Sequence, residues 1–185
     1  MLPKMIYLVG APGAGKSTLM ARLTAPYERI ENVVSDEGVA HAMLVRGVTG
    51  GVVGAEIGRR RTHFGGTDAL PSSIIEKAIP WIQTVPYRLI LGEGARLGNM
   101  RFLTAAMTSY DVVLALLDHE ETEVWRDARA AELGREQNHA WVKGRLSASR
   151  GLADKLAGVI PVWRGHPDEL YAPLSQIVAE ADAAL

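Results

Sequence analysis

Short apolar runs of strand length alternate along the chain with longer segments in which apolar residues recur at helical spacing. The apolar runs lie at residues 5–9, 29–34, 87–92, 111–117 and 158–163. Parallel strands are buried on both faces and need crossover connections, so short apolar runs separated by helices are typical of a doubly wound sheet. The pattern therefore predicts an α/β three-layer sandwich with a five-stranded parallel sheet.

The predicted helices are bounded by prolines and turn-forming residues. They cover 16–24, 98–109, 120–133, 138–149 and 167–184, and a further helix begins near Pro71. Between them, residues 46–68 are rich in glycine and have no regular period. We expect one domain, 1–185, with a mobile substrate-binding insert over about residues 46–70.

Composition excludes several kinds of chemistry. The 185 residues include no cysteine, which excludes disulfides, thiolate metal sites and a cysteine nucleophile. The five histidines, at 41, 63, 119, 139 and 166, do not have the spacing of metal ligands. A net charge of -1 and the absence of a long apolar run predict a soluble cytoplasmic protein without a membrane span. No obligate protein partner is evident.

The most specific motif is the string GAPGAGKS, which follows the first apolar run and satisfies G-x-x-x-x-G-K-[ST]. In such loops, backbone N–H groups at a helix N-terminus surround the phosphates. Lys16 would neutralise the β- and γ-phosphates and Ser17 would bind Mg²⁺. We therefore predict a site for a nucleoside triphosphate and Mg²⁺, formed by Gly10, Ala11, Pro12, Gly13, Ala14, Gly15, Lys16, Ser17 and Thr18. The alternative is a plain glycine-rich turn with an incidental lysine.

Two carboxylates follow predicted strands, at the strand ends where ligands bind in open α/β sheets. Asp36 follows the second apolar run and Glu93 follows the third. Asp36 is a candidate general base for an attacking hydroxyl, or the cap of a helix starting near Glu37. Glu93 is a candidate for holding Mg²⁺ through its water shell or a substrate group, or a solvated loop acid.

The loop resembles that of the P-loop kinases. Asp36 lies twenty residues after Lys16, as the catalytic aspartate does in phage polynucleotide kinases, and that resemblance implies that Asp36 is the general base. In this superfamily an arginine-bearing lid follows the fourth strand, here about residues 120–150. The resemblance assigns Arg126, the preferred catalytic arginine, and Arg129 to the transferring phosphate. A solvated helix in which nearby carboxylates pair these arginines is the alternative.

Three strings extend the resemblance, namely HFGGTDALP (63–71), LGEGARL (91–97) and GREQNHAWVKGR (134–145). They look like small kinase-like proteins of bacteriophages, often labelled thymidylate-kinase-like. Some kinases of this group phosphorylate 5-hydroxymethyluracil in phage DNA, which implies a location in the host cytoplasm. The chain lacks the D-G-[FY]-P-R of adenylate kinases, with Arg96 the nearest basic residue, and the D-R-[YFH] of thymidylate kinases. These departures argue against an ordinary nucleoside monophosphate kinase.

Further candidates for substrate binding lie near the string HFGGTDALP. They are the basic cluster Arg59, Arg60 and Arg61, the stacking candidates His63 and Phe64, and Asp68. A solvated loop is the alternative for the cluster, and a helix cap is the alternative for Asp68. The resemblance to this superfamily, in which the segment after the fifth strand usually contacts adenine, makes Arg164 a candidate for that contact; a plain surface turn is the alternative.

Taken together, these features predict an ATP-dependent kinase that phosphorylates a hydroxyl of a nucleic-acid-type acceptor, with 5-hydroxymethyluracil in DNA as one candidate. A kinase of a free nucleoside or nucleotide is the first alternative. A nucleotide-dependent switch or ATPase is the alternative from another class, although the guanine-reading N-K-x-D is absent.

Overall fold

A computed structural model describes residues 2–48, 50–59, 70–134 and 138–184. In this part of the chain the strands are β1 (Lys4–Gly10), β2 (Glu28–Val34), β3 (Ala40–Val45), β4 (Val52–Ile57), β5 (Leu89–Glu93), β6 (Asp111–Leu117) and β7 (Val162–Gly165). The helices are α1 (Lys16–Thr24), α2 (Ile75–Thr84), α3 (Met100–Ala106), α4 (Thr122–Leu133), α5 (His139–Leu156) and α6 (Pro167–Ala183). None of the helices in the described ranges is long and apolar enough to cross a membrane.

The strands form one sheet in the order β2-β3-β4-β5-β1-β6-β7. From β4 to β7 all neighbouring strands are parallel, whereas β2 and β3 add an antiparallel extension at one edge. The predicted α/β fold is confirmed, and the parallel part has the predicted five strands. The complete described sheet has seven, because the chain makes two hairpins before it joins the parallel part.

Helices cover both faces of the sheet, as the predicted three layers require. Met5 and Tyr7 of β1 point into a core shared with α2, α3 and α5, while Ile6 and Leu8 point into a second core with α1 and α6. All four side chains are at most 1% exposed. Burial on both faces explains why β1 is a continuous apolar run in the sequence.

The second parallel strand is β4, and the prediction that residues 29–34 occupy this position is wrong. Residues 29–34 belong to β2 at the antiparallel edge, and β4 lies within the segment expected to be a mobile insert. Gly54 explains the error: a Cβ there would lie 2.1 Å from the Leu89 carbonyl oxygen of β5. Close packing of β4 against β5 requires the glycine at position 54, but in the sequence this glycine contributed to the prediction of a loop.

Two local predictions also differ from the structure. The last strand begins at Val162, because residues 157–160 complete a turn after α5 that includes Gly158 at φ +86°. No helix begins near Glu37 within the described residues 28–48. Residues 35–38 instead form a tight turn between β2 and β3, in which the Gly38 N–H donates to the Ser35 carbonyl oxygen at 2.8 Å. The alternative role of Asp36 as a helix cap is therefore wrong.

Candidate functional site

The phosphate-loop motif connects β1, in the middle of the sheet, to α1. β1 ends at Gly10 and α1 begins at Lys16, as the motif requires. Gly13 has φ +85°, a left-handed conformation that side chains other than glycine rarely adopt. The Lys16 ammonium donates to the carbonyl oxygens of Gly10 at 3.0 Å and Ala11 at 2.8 Å. These contacts fold the lysine side chain back over its own loop.

Ser17 and Glu93, the two predicted magnesium ligands, are in direct contact. The Ser17 hydroxyl donates to both carboxylate oxygens of Glu93, at 3.0 and 3.2 Å. Glu93 ends β5, the strand beside β1, and it is 5% exposed. One hydroxyl and one carboxylate, held together beside a phosphate loop, are hard oxygen donors of the kind that Mg²⁺ takes with water and phosphate.

The side chain of Tyr7 contacts the backbone at the end of β5. Its buried hydroxyl lies 3.3 Å from the carbonyl oxygen of Glu93 and 3.2 Å from that of Gly94. Its ring packs edge-on against Phe102, with the centroids 6.2 Å apart. Tyr7 therefore fixes the backbone that carries the Glu93 carboxylate, a role that its place in an apolar run did not reveal.

The first turns of α4 lie directly on the phosphate loop. A Cβ at Gly13 would lie 2.7 Å from the Cβ of Arg126, and one at Gly15 would lie 3.1 Å from the ring of Trp125. The Arg126 side chain is 9% exposed, and its Nε and Nη2 donate to Asp127 at 3.2 and 3.1 Å. The helix expected to bear lid arginines therefore brings Arg126 to the loop, while Arg129 is exposed on the same helix.

The model of one protein family, P-loop Nucleotide Kinase3, matches residues 1–179. The chain belongs to the P-loop Nucleotide Kinase3 family. The predicted P-loop kinase superfamily is thereby confirmed, and kinase-type phosphotransfer is the activity that the family indicates. No curated protein matches the chain.

In this P-loop kinase, aromatic side chains gather beside the phosphate loop where β6 and β7 end. The rings of His119 and Trp125 have centroids 4.7 Å apart, and both rings contact His166, at 4.6 and 5.1 Å. His119 Nε2 lies 3.1 Å from the Ala14 carbonyl oxygen. The sequence analysis missed this cluster, because its members are far apart in the chain and meet through the order of the strands.

Ion pairs connect α5 to the same edge of the kinase sheet. Arg150 donates from Nε and Nη2 to the two carboxylate oxygens of Asp118, at 2.6 and 2.8 Å. These hydrogen bonds hold the pKa of the Asp118 carboxyl below its usual value. Arg164, the candidate for contacting adenine, pairs with Asp154. In this conformation its guanidinium therefore already has a carboxylate partner.

The predicted substrate residues are less closely grouped than the phosphate-binding ones. Asp36 is exposed in the β2–β3 turn, at the sheet edge where the parallel strands end. β3 and β2 are three and four strands from β1, which at the usual strand spacing is about 14 to 19 Å. Arg59 is exposed two residues after β4, and Arg96 is exposed between β5 and α3. The remaining candidates, Arg60, Arg61, His63, Phe64 and Asp68, lie outside the described residues.

Proposed function

We propose that this protein is a Mg²⁺- and ATP-dependent kinase that transfers the γ-phosphate of ATP to a hydroxyl of a nucleotide unit. The contact between Ser17 and Glu93 beside the phosphate loop carries the proposal. A loop that only binds a phosphate would not require a buried carboxylate on its hydroxyl. A pair of oxygen donors at this point suits a metal-bound triphosphate.

The proposed reaction divides its work among the residues around the loop. Backbone N–H groups of the loop and the Lys16 ammonium bind the β- and γ-phosphates, and Arg126 balances the charge that develops on the transferring group. Ser17 and Glu93 would hold Mg²⁺, which when bound would supply positive charge against the phosphate oxygens. The acceptor oxygen forms the new bond to the γ-phosphorus, the bond from that phosphorus to the bridging oxygen breaks, and ADP leaves with the electron pair.

The proton of the acceptor hydroxyl needs a base, and Asp36 is the proposed candidate. A general base works within hydrogen-bond reach of its proton. Because the β2–β3 turn lies about 14 to 19 Å along the sheet from β1, this role requires the turn to move towards the loop on substrate binding. The same carboxylate without that movement would contact a distant part of a long acceptor.

Two kinds of acceptor are considered, a free nucleotide and a base within DNA. The family description, a nucleotide kinase, favours a free nucleotide. The resemblance of LGEGARL and GREQNHAWVKGR to phage kinase-like proteins favours a base hydroxyl in DNA, such as that of 5-hydroxymethyluracil. In both forms the candidates for binding the acceptor are Asp36, Arg59, Arg60, Arg61, His63, Phe64, Asp68 and Arg96.

The test is transfer of label from γ-labelled ATP to four sets of acceptors: nucleosides, mononucleotides, unmodified DNA, and DNA containing 5-hydroxymethyluracil. Label on DNA with the modified base alone supports the DNA acceptor, and label on mononucleotides alone refutes it. Hydrolysis of ATP without transfer of label to any of the four acceptors would refute the kinase and favour the switch or ATPase. Loss of transfer in Asp36→Ala, with ATP binding retained, is the result expected of a base.

Variants of the metal-binding pair test the observation that carries the proposal. We expect Ser17→Ala and Glu93→Gln to lower transfer about 10- to 100-fold and to raise the Mg²⁺ concentration required. The control variants, Ser72→Ala and Glu180→Gln, make the same changes at exposed positions. Ser72 lies in the turn that precedes α2, and Glu180 lies on α6. Equal Mg²⁺ requirements in all four variants would remove the proposed metal role.

A further inference from the structure

Three side chains that can bind a metal ion converge beside the phosphate loop, apart from the Ser17–Glu93 pair. His119 follows β6, Glu121 directly precedes α4, and His166 directly precedes α6. Each offers one ligand atom, and these atoms all lie within 4.8 Å of one another. Glu121 Oε2 and His166 Nε2 are already 2.9 Å apart.

The hydrogen bonds of His119 define which of its nitrogens is free to bind an ion. Nε2 lies 3.1 Å from the Ala14 carbonyl oxygen, which only accepts, so Nε2 carries the proton. In the neutral ring Nδ1 therefore carries the lone pair. It is buried and has no hydrogen-bond partner among the described residues. A buried lone pair without a donor costs free energy, and a metal ion would remove that cost.

His166 has a carboxylate near the ring nitrogen that points away from Glu121. Its Nδ1 accepts from the Asp168 N–H at 3.2 Å and lies 3.6 Å from a carboxylate oxygen of Asp168. Binding an ion through Nε2 would require the ring proton to move to Nδ1, which would break the hydrogen bond from the Asp168 N–H and require the Asp168 carboxylate to approach as the new acceptor. Histidine ligands of zinc commonly have such a carboxylate or carbonyl partner on their other nitrogen, as His119 has in Ala14.

We propose that His119, Glu121 and His166 form a binding site for one Zn²⁺ ion. Two imidazole nitrogens and one carboxylate oxygen are a typical ligand set for Zn²⁺, with water in the fourth position, whereas Mg²⁺ prefers oxygen ligands alone. The ion would join the end of β6 to the starts of α4 and α6. Because Trp125 of α4 and Pro167 of α6 lie 3.1 and 3.2 Å from the position that a Cβ at Gly15 would take, the ion would hold these helices close to the phosphate loop.

The test measures Zn²⁺ binding by the metal-free protein, without nucleotide, so that its outcome is independent of the proposed kinase reaction. Calorimetric titration is expected to give one Zn²⁺ per chain, not displaced by excess Mg²⁺. Zn²⁺ is also expected to raise the melting temperature. His119→Ala and His166→Ala should each weaken binding by at least about tenfold, and should remove the thermal shift.

Two further variants make the result decisive. His139→Ala removes an exposed histidine at the start of α5 and should bind Zn²⁺ as the parent protein does. Glu121 is exposed, so Glu121→Gln should fold normally and still weaken binding, even where a histidine variant does not fold. The proposal is overturned if the parent protein binds no Zn²⁺, if His139→Ala abolishes binding, or if Glu121→Gln and the folded histidine variants bind Zn²⁺ as tightly as the parent.

Discussion

Replacing Gly13 by alanine tests the contact between the phosphate loop and α4. Two costs are expected. The left-handed backbone at φ +85° costs a residue with a Cβ about 1–2 kcal/mol. The new Cβ would also lie 2.7 Å from Arg126 Cβ and 3.0 Å from Arg126 Cα, so α4 or the loop must shift. Ordinary contact begins at 3.4 Å, which sets the shift at about 0.7 Å.

A shift of this size has a large effect where phosphate groups are positioned. A misplacement of about 1 Å costs about 100-fold in rate, so we expect Gly13→Ala to lower phosphoryl transfer by about ten- to hundredfold. Gly134→Ala is the matched control, because Gly134 caps the other end of α4 at φ +60° and no described atom lies within 4 Å of its Cβ position. Both variants should carry the cost of the left-handed backbone, and Gly13→Ala should lose further stability through the clash with Arg126.

The assays are urea unfolding, ATP binding and transfer of labelled phosphate, measured for both variants in parallel. Only Gly13→Ala should lose ATP affinity or transfer beyond what its stability explains. If Gly13→Ala matches Gly134→Ala in all three measurements, then α4 does not constrain the phosphate loop, and the reasoning from the loop contacts is refuted.

Two further predictions concern stability. Glu56→Ala should lower the free energy of unfolding by about 3–5 kcal/mol, because Glu56 is 3% exposed and its loss leaves the largely buried guanidinium of Arg29, 12% exposed, without this partner. Glu31→Ala removes the more exposed partner of Arg29 and should cost about 1 kcal/mol or less in the same denaturant titration. Burial, together with the charge and hydrogen bond of Asp182, raises the pKa of Tyr27 to about 12. The stability that the protonated Tyr27 hydroxyl contributes is therefore complete below pH 10 and is lost as the pH rises towards 12. Tyr27→Phe should make the free energy of unfolding fall less steeply over this pH range, and an unchanged slope would contradict the raised pKa of Tyr27.

The phosphate-binding half of the site could be predicted from the sequence, because its signals are local. The motif from Gly10 to Ser17 needs one strand, one loop and one helix in succession, and all three are continuous in the chain. The position of Glu93 next to the loop could be predicted with one further inference, that the strand it follows ends beside β1. Parallel strands direct their carboxyl ends to one edge, so this inference held without knowledge of the full strand order.

The acceptor half could not be predicted, because it depends on which strand lies beside which. Residues 29–34 and 52–57 are both of strand length. The run at 29–34, with three apolar residues, lies at the antiparallel edge, whereas the run at 52–57, with four apolar residues and Gly54, lies in the parallel sheet. Asp36 was therefore placed beside the phosphate loop on the wrong strand order. The histidine cluster was missed for the same reason, since His119 and His166 become neighbours through the pairing of β6 with β7.

The strand order also changes which residues are nearest to the transferring phosphate. β4 is two strands from β1, about 10 Å, whereas the turn that bears Asp36 lies about 14 to 19 Å away. In the proposed reaction, Arg59, two residues after β4, would therefore be better placed than Asp36 to contact the acceptor close to its reacting hydroxyl. An arginine at that point favours an acceptor that carries phosphate, because its planar fork matches phosphate oxygens. In the same proposal Asp36 would contact a more distant part of the acceptor unless the β2–β3 turn closes, and an acceptor that contacts both residues would have to be longer than a single nucleoside.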